Sequence, residues 1–136
     1  MPKYGGAVEA SPRRNLVVHA VEIAESHLRS GHGLIPFMIT DRWGDRRVEQ
    51  FEREGPGGAQ ARFWDFVRTA AGDETCALVY VGRVDLDEEA IVIEHGQAGR
   101  QEADVFIQRF RPRRGPLRGF KLIGEPTPVG PTEPVG

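Results

Sequence analysis

Residues 75–111 read TCALVYVGRVDLDEEAIVIEHGQAGRQEADVFIQRFR and contain three apolar runs, each long enough for a β-strand. The runs at 75–84, 90–95 and 103–111 are rich in valine, isoleucine and aromatic residues, which favour strands. One acidic connection and one glycine-containing connection separate them. Connections this short join antiparallel neighbours, because a parallel crossover needs a dozen or more residues. The stretch therefore predicts a three-stranded antiparallel meander.

The residues before this stretch predict a helix and then a hairpin. Ser11 and Pro12 form a helix start, and apolar residues then recur at spacings of three and four as far as Leu28. Two further runs, at 34–40 and 46–53, have strand character and are joined by a short polar turn. We expect these two strands to pair as a hairpin.

A second amphipathic helix is predicted after the glycine-rich break at 54–58. We expect Phe63 and Val67 to pack from this helix onto the sheet. A last strand is predicted at 119–123. The predicted order is α-β-β-α-β-β-β-β, an α+β fold with an antiparallel meander sheet of about six strands and both helices packed on one face.

Both faces of the central strands are apolar, since successive side chains of a strand point to opposite sides and neither set in 75–84 is polar. A sheet with helices on one face then needs a second cover. The chain's own loops, a ligand or another copy of the chain could supply it. We expect a homodimer that buries more than about 1,000 Å² through Tyr80, Phe106 and Phe110.

The folded body is predicted to span residues 11–124 as a single α+β domain. The last twelve residues, 125–136, contain four prolines and two glycines. Such a segment buries too little apolar surface to offset the entropy of ordering it. We therefore expect a flexible proline- and glycine-rich tail at 125–136, and a flexible N-terminus at 1–10.

The composition disfavours secreted and membrane classes. Cys76 is the single cysteine, which permits no intramolecular disulfide. The chain has no apolar run approaching the ~18 residues of a membrane span and no signal-type segment at its start. We expect a cytoplasmic protein that does not bind membranes.

Three segments resemble a set of small uncharacterised bacterial α+β proteins. These are the strand entry Gly33-Leu34-Ile35-Pro36-Phe37, the strand Ala77-Leu78-Val79-Tyr80 and the strand Ala90-Ile91-Val92-Ile93-Glu94-His95, which ends in Glu-His. The resemblance covers about residues 15–124 and implies the same α+β fold. It implies no activity.

Charge is concentrated in one segment. Six of the 18 lysines and arginines lie between positions 109 and 121, where none of the 20 acids lies. These cations, here called the basic strip, are Arg109, Arg111, Arg113, Arg114, Arg118 and Lys121. They could pair with carboxylates of this chain or of a partner subunit, or they could bind an anion or an acidic protein partner. Nucleic acid is disfavoured, because the chain has a net charge of −2 and no known nucleic-acid-binding motif.

Residues with chemical potential are few and scattered. Glu94 and His95 are adjacent on a strand, so they face opposite sides and do not form an acid–base dyad. His19 and Glu22 could supply two metal ligands from one helix, but the sequence places no third ligand. The glycine-rich break lacks the Gly-Lys-Ser/Thr ending of a phosphate-binding loop. We predict no catalytic, metal-binding or cofactor-binding residue and no cofactor.

These observations favour a small binding or interaction domain without a catalytic site, which associates with itself or with an acidic partner. The alternative is a small-molecule-binding protein or small enzyme. That alternative requires a pocket between the first helix and the sheet, near His27, Glu94 or His95.

Overall fold

The computed structural model describes residues 12–31, 33–53, 55–84, 88–111 and 120–132. Within them are two helices and six strands, in the order that the sequence predicts. The helices are α1, Pro12–Arg29, and α2, Gly55–Thr69; the strands are β1, Phe37–Arg42, β2, Asp45–Gln50, β3, Thr75–Arg83, β4, Glu89–Gln97, β5, Ala103–Arg111, and β6, Lys121–Thr132.

All six strands form one antiparallel sheet in the order β2-β1-β3-β4-β5-β6. The predicted α+β class and six-stranded antiparallel sheet are therefore confirmed. The β1–β2 hairpin turns at Trp43 and Gly44, whose φ angles are 60° and 87°. Two successive positive φ angles are typical of the two-residue turn whose twist matches that of the flanking strands.

The two helices contact opposite sides of this sheet. On β3, Ala77 and Val79 belong to the core packed against α1, whereas Cys76 and Leu78 belong to the core packed against α2. Because alternate residues of a strand point to opposite faces, α1 covers one face and α2 the other. The sequence analysis placed both helices on one face. The apolar residues on both sides of β3 instead require a cover on each side, and the two helices share that task.

The face under α1, here called the α1 face, is covered from β1 to β6. Leu16, Ala20 and Ala24 of α1 are fully buried against the sheet. Phe110 and Phe120, with ring centroids 5.4 Å apart, extend the same core toward β6. The remaining buried members of this core on the strands are Phe37, Ile39, Ala77, Val79, Ile91 and Ile93.

The face under α2, here called the α2 face, is covered over part of its width. Phe63 and Val67 are buried against the sheet, as predicted. They lie directly over Gly96 of β4, where an added Cβ would come within 2.8 Å of both side chains. The missing side chain at Gly96 therefore lets α2 approach the sheet closely. This core reaches Ala103 at the start of β5.

Strand β6 corrects the predicted tail. It continues to Thr132, which pairs with Ala103, although a flexible segment was expected from position 125. β6 is an edge strand with two register shifts, and such a strand tolerates prolines because their missing N–H groups are not needed by a further strand. Residues 133–136 and the predicted flexible N-terminus, 1–10, lie outside the described residues.

Substituting Gly96→Ala should destabilise the fold. The new methyl group would overlap Phe63 and Val67, and overpacking of this kind costs about 1–3 kcal/mol. The matched control is Gly57→Ala in α2, where a Cβ meets nothing within 4 Å and should leave stability unchanged or raise it by up to about 1 kcal/mol. Urea denaturation of both variants checks this, and equal stabilities would show that α2 does not approach Gly96 closely.

Candidate binding surfaces

The residues predicted to form one dimer face do not share a face. In the sheet register, Tyr80 lies opposite Val92, and Val92 lies opposite Ile107. Residues directly opposite each other share a face, so the partner of Tyr80 on β5 is Ile107. Phe106 and Phe110 point to the α1 face, where they belong to or pack against the α1 core. The structure therefore separates Tyr80 from Phe106 and Phe110.

The α2 face contains an apolar area that α2 does not cover. Val105 and Ile107 are half-buried and belong to neither core cluster, and Ile123 on β6 is 50% exposed. The register places Ile123 opposite Arg109 and on this face. Tyr80 borders the area on the side nearer to α2. We call these four residues, Tyr80, Val105, Ile107 and Ile123, the open face.

A buried carboxylate separates α2 from the open face. Glu94 is 4% exposed and accepts hydrogen bonds from Tyr80 Oη at 2.5 Å and from Gln60 Nε2 at 3.1 Å. These donors satisfy a group that would otherwise be costly to bury. Burial, and then the nearby Glu94 carboxylate, raise the pKa of the Tyr80 phenol. The neighbouring His95 pairs with Ala77 of the α1 face, so Glu94 and His95 point to opposite sides, as the alternation predicts.

Part of the basic strip lies at one end of the open face. Arg109 Nη1 lies 2.5 Å from Glu88 Oε2, with both side chains about half exposed. Arg111 and Lys121 are exposed and directly opposite each other on β5 and β6, on the same face as Arg109. Adjacent like charges raise the local positive potential. The other predicted members, Arg113, Arg114 and Arg118, lie outside the described residues.

A groove of about 540 Å³ lies between α2 and the β1–β2 hairpin. Its floor contains Met38 and Phe66, and its walls contain arginines paired with carboxylates. Arg62 contacts Glu49 at 3.0 Å, and the hydrogen bond to Glu49 raises the pKa of that guanidinium. Arg47 contacts Asp45 at 3.3 Å. The alternative function requires a pocket between the first helix and the sheet. That position is on the α1 face, where Leu16, Ala20 and Ala24 of α1 are fully buried.

His19, considered above with Glu22 as a possible metal ligand, has a cation as its neighbour. His19 Nδ1 lies 3.1 Å from Arg46 Nη1, and Arg46 Nε donates to Asp41 at 2.8 Å. The positive charge of this guanidinium disfavours a metal ion at Nδ1. Among the described residues, no group of three possible metal ligands comes together.

No protein-family model, curated protein or solved structure matches this chain. In the described part of the chain, neither helix is long and apolar enough to cross a membrane.

Replacing Tyr80→Phe should show how the buried carboxylate is supported. At neutral pH the variant removes one donor to Glu94, which should cost about 1–3 kcal/mol of unfolding free energy. Because the folded-state pKa of Tyr80 is raised above its ordinary 10.0, the wild type should also lose stability as the pH rises above about 10. The variant should lose less over that range.

Denaturation of both proteins between pH 7 and 11 checks this expectation. Burial also raises the pKa of the Cys76 thiol, but this contribution is common to both proteins and cancels in the comparison. Parallel pH profiles for the two proteins would mean that Tyr80 is not shielded beside Glu94.

Proposed function

We propose that this chain is a non-enzymatic binding domain and that its open face contacts an acidic surface of a partner protein. The observation that carries the proposal is that two exposed cations, Arg111 and Lys121, lie on the same face of β5 and β6 as half-buried Ile107 and exposed Ile123. An apolar centre with a charged rim is the usual composition of a protein contact surface.

The apolar part of the surface favours a macromolecular partner over a dissolved anion. Val105 and Ile107 are alternate residues of β5, and Ile123 of β6 lies opposite Arg109, the next residue of β5 on the same face. A small anion gains little from such a surface, whereas a protein gains about 25 cal/mol for each Å² of apolar area that it covers.

The charged part of the surface selects an acidic partner. Arg111 and Lys121 face the same side as Arg109, whose pairing with Glu88 already shows that a carboxylate fits at this end of the sheet. Opposite charges speed association and exclude cationic surfaces. A nucleic acid is less favoured, because its binding depends on many phosphate contacts, whereas an apolar centre with a charged rim is typical of a contact with a protein.

The groove between α2 and the hairpin supports a second candidate, a small-molecule-binding function. Its 540 Å³ is within the range of about 300–1,000 Å³ that ligand pockets occupy. Its guanidiniums, however, are already paired with Asp45, Glu49 and Asp65. A ligand would have to displace or bridge these pairs, so the open face is the better-supported site.

Binding of two acidic polypeptides tests the proposal. Poly-glutamate and a glutamate–tyrosine copolymer should both bind the wild type at about 50 mM salt, and the copolymer should bind more tightly because its rings cover apolar residues. The double variant Arg111→Glu with Lys121→Glu should weaken the binding of both polypeptides by more than ~10-fold. Ile123→Ser should reduce only the advantage of the copolymer. Isothermal titration measures the affinity of each protein for each polypeptide.

The matched control is Arg68→Glu with Arg100→Glu, which changes the net charge equally at two exposed positions on α2 and in the β4–β5 turn. This control should bind like the wild type apart from a small general charge effect. Equal weakening in the control and the test variant would contradict a localised site. Tighter binding of single-stranded DNA than of either polypeptide would contradict the choice of partner.

A further inference from the structure

The two edges of the sheet differ in their capacity to pair with another strand. β6, at one edge, contains Pro126, Pro128 and Pro131 and two register shifts. β2, at the other edge, pairs with β1 over six consecutive residues without a shift and contains no proline. Prolines and bulges are devices that prevent edge pairing, and they are concentrated on β6. In the described part of the chain, β2 has no strand on its outer side.

Three residues of β2 direct their backbone groups outward. Phe51 N donates to Pro36 O at 2.9 Å, so this pair is hydrogen-bonded across the hairpin. Hydrogen-bonded and non-hydrogen-bonded pairs alternate along an antiparallel ladder. Glu49 and Arg47 therefore bond inward to β1, while Arg46, Val48 and Gln50 present their N–H and C=O groups to the open edge.

The side chains of β2 alternate in the same way. Val48 lies opposite Ile39 and so points to the α1 face, where it is 48% exposed. Arg47 and Glu49 lie opposite Thr40 and Met38 and point to the α2 face. The Arg47 side chain is 78% exposed and that of Glu49 is 48% exposed. On the α1 face, β2 is thus apolar at Val48. On the α2 face, it carries Arg47 and Glu49, a cation and an anion two residues apart.

We propose that two copies of this chain form a homodimer by antiparallel pairing of β2 with β2, about a twofold axis at Val48. In this register Val48 faces Val48 of the second copy. Arg47 of each copy faces Glu49 of the other, which adds two intermolecular ion pairs on the α2 face to the Arg47–Asp45 and Glu49–Arg62 pairs within each copy. Arg46 faces Gln50, so all three outward-facing residues find backbone partners.

The neighbouring registers are unfavourable. A shift of the axis to position 47 places Arg47 opposite Arg47 and Asp45 opposite Glu49, and a shift to 49 places Glu49 opposite Glu49. Like charges directly opposite each other destabilise a strand pair. The opposite charges along β2 therefore specify one register for self-pairing. An edge strand whose charges all had the same sign could not distinguish the registers in this way.

The helices leave room for this contact. No residue of β2 belongs to either core cluster, and α1 and α2 pack on the strands inside it. Pairing would extend the sheet across the two copies, with equivalent helices on the same sides. Such a self-complementary contact is the isologous type that closes at two subunits. The β2–β2 contact leaves the open face, which lies toward the opposite edge of the sheet, accessible to a different partner.

Charge variants with mixing test the proposal. Wild-type protein at up to about 200 µM should sediment with a mass near twice 15.1 kDa, since a small interface gives a weak dimer. Arg47→Glu alone and Glu49→Arg alone should each sediment as monomers, because each places like charges opposite each other. An equimolar mixture of the two variants should restore the dimer, because the substituted positions then have opposite charges.

A cysteine variant tests the register independently. Val48→Cys places a thiol on the twofold axis and should give a covalent dimer under mild oxidation, while Gln50→Cys, whose counterpart is Arg46, should not. The native Cys76 is buried and should not interfere. Circular dichroism should show that these variants are folded, as the four substituted side chains of β2, at positions 47–50, are exposed in the monomer.

Several results would overturn the proposal. One is a wild type that remains monomeric at every concentration, and another is a dimer that persists in Arg47→Glu. A mixture that stays monomeric would exclude this register. A dimer lost on Ile107→Glu but kept in both charge variants would place self-association on the open face instead.

Discussion

The alternation of apolar side chains along β3 and β4 is the constraint on which the rest of the structure depends. Leu78 and Val79 are both fully buried although they point to opposite faces, and Ile91 and Val92 repeat the pattern on the next strand. Such strands are stable only where both faces are covered. α1 meets this need on one face from β1 to β6. α2 meets it on the other face only as far as Glu94, and this incomplete cover creates the open face.

Much of the fold could be predicted because local patterns specify it. The three strands of the stretch 75–111, the start of α1 at Pro12 and the burial of Phe63 all follow from periodicity and turn chemistry. The face that each helix covers could not be predicted in this way. It depends on the register between strands, and a shift of one residue exchanges the two faces. The predicted dimer face combined Tyr80 with Phe106. The register instead places Tyr80 on the same face as Ile107, the next residue along β5.

The same limit applies to the surfaces. The basic strip is evident from charge alone, but its separation into a paired Arg109 and the exposed Arg111 and Lys121 depends on which residues become neighbours across strands. The ordered strand from Glu125 to Thr132 was missed because its prolines suit an edge strand as well as a flexible tail. The open edge at β2 follows from strand order, which a hairpin pattern alone does not give.

The proposed contact surface requires that α2 leave the α2 face uncovered over β5 and β6, and the accessibility of the methyl groups there in solution tests this requirement most directly. A soluble paramagnetic gadolinium chelate broadens the NMR signals of methyl groups that solvent reaches. The account predicts strong broadening for Ile107 and Ile123, and little for Ile91 and Ile93, which are fully buried under α1. Equal protection of all four isoleucines would contradict it, because the proposed contact surface would then already be covered.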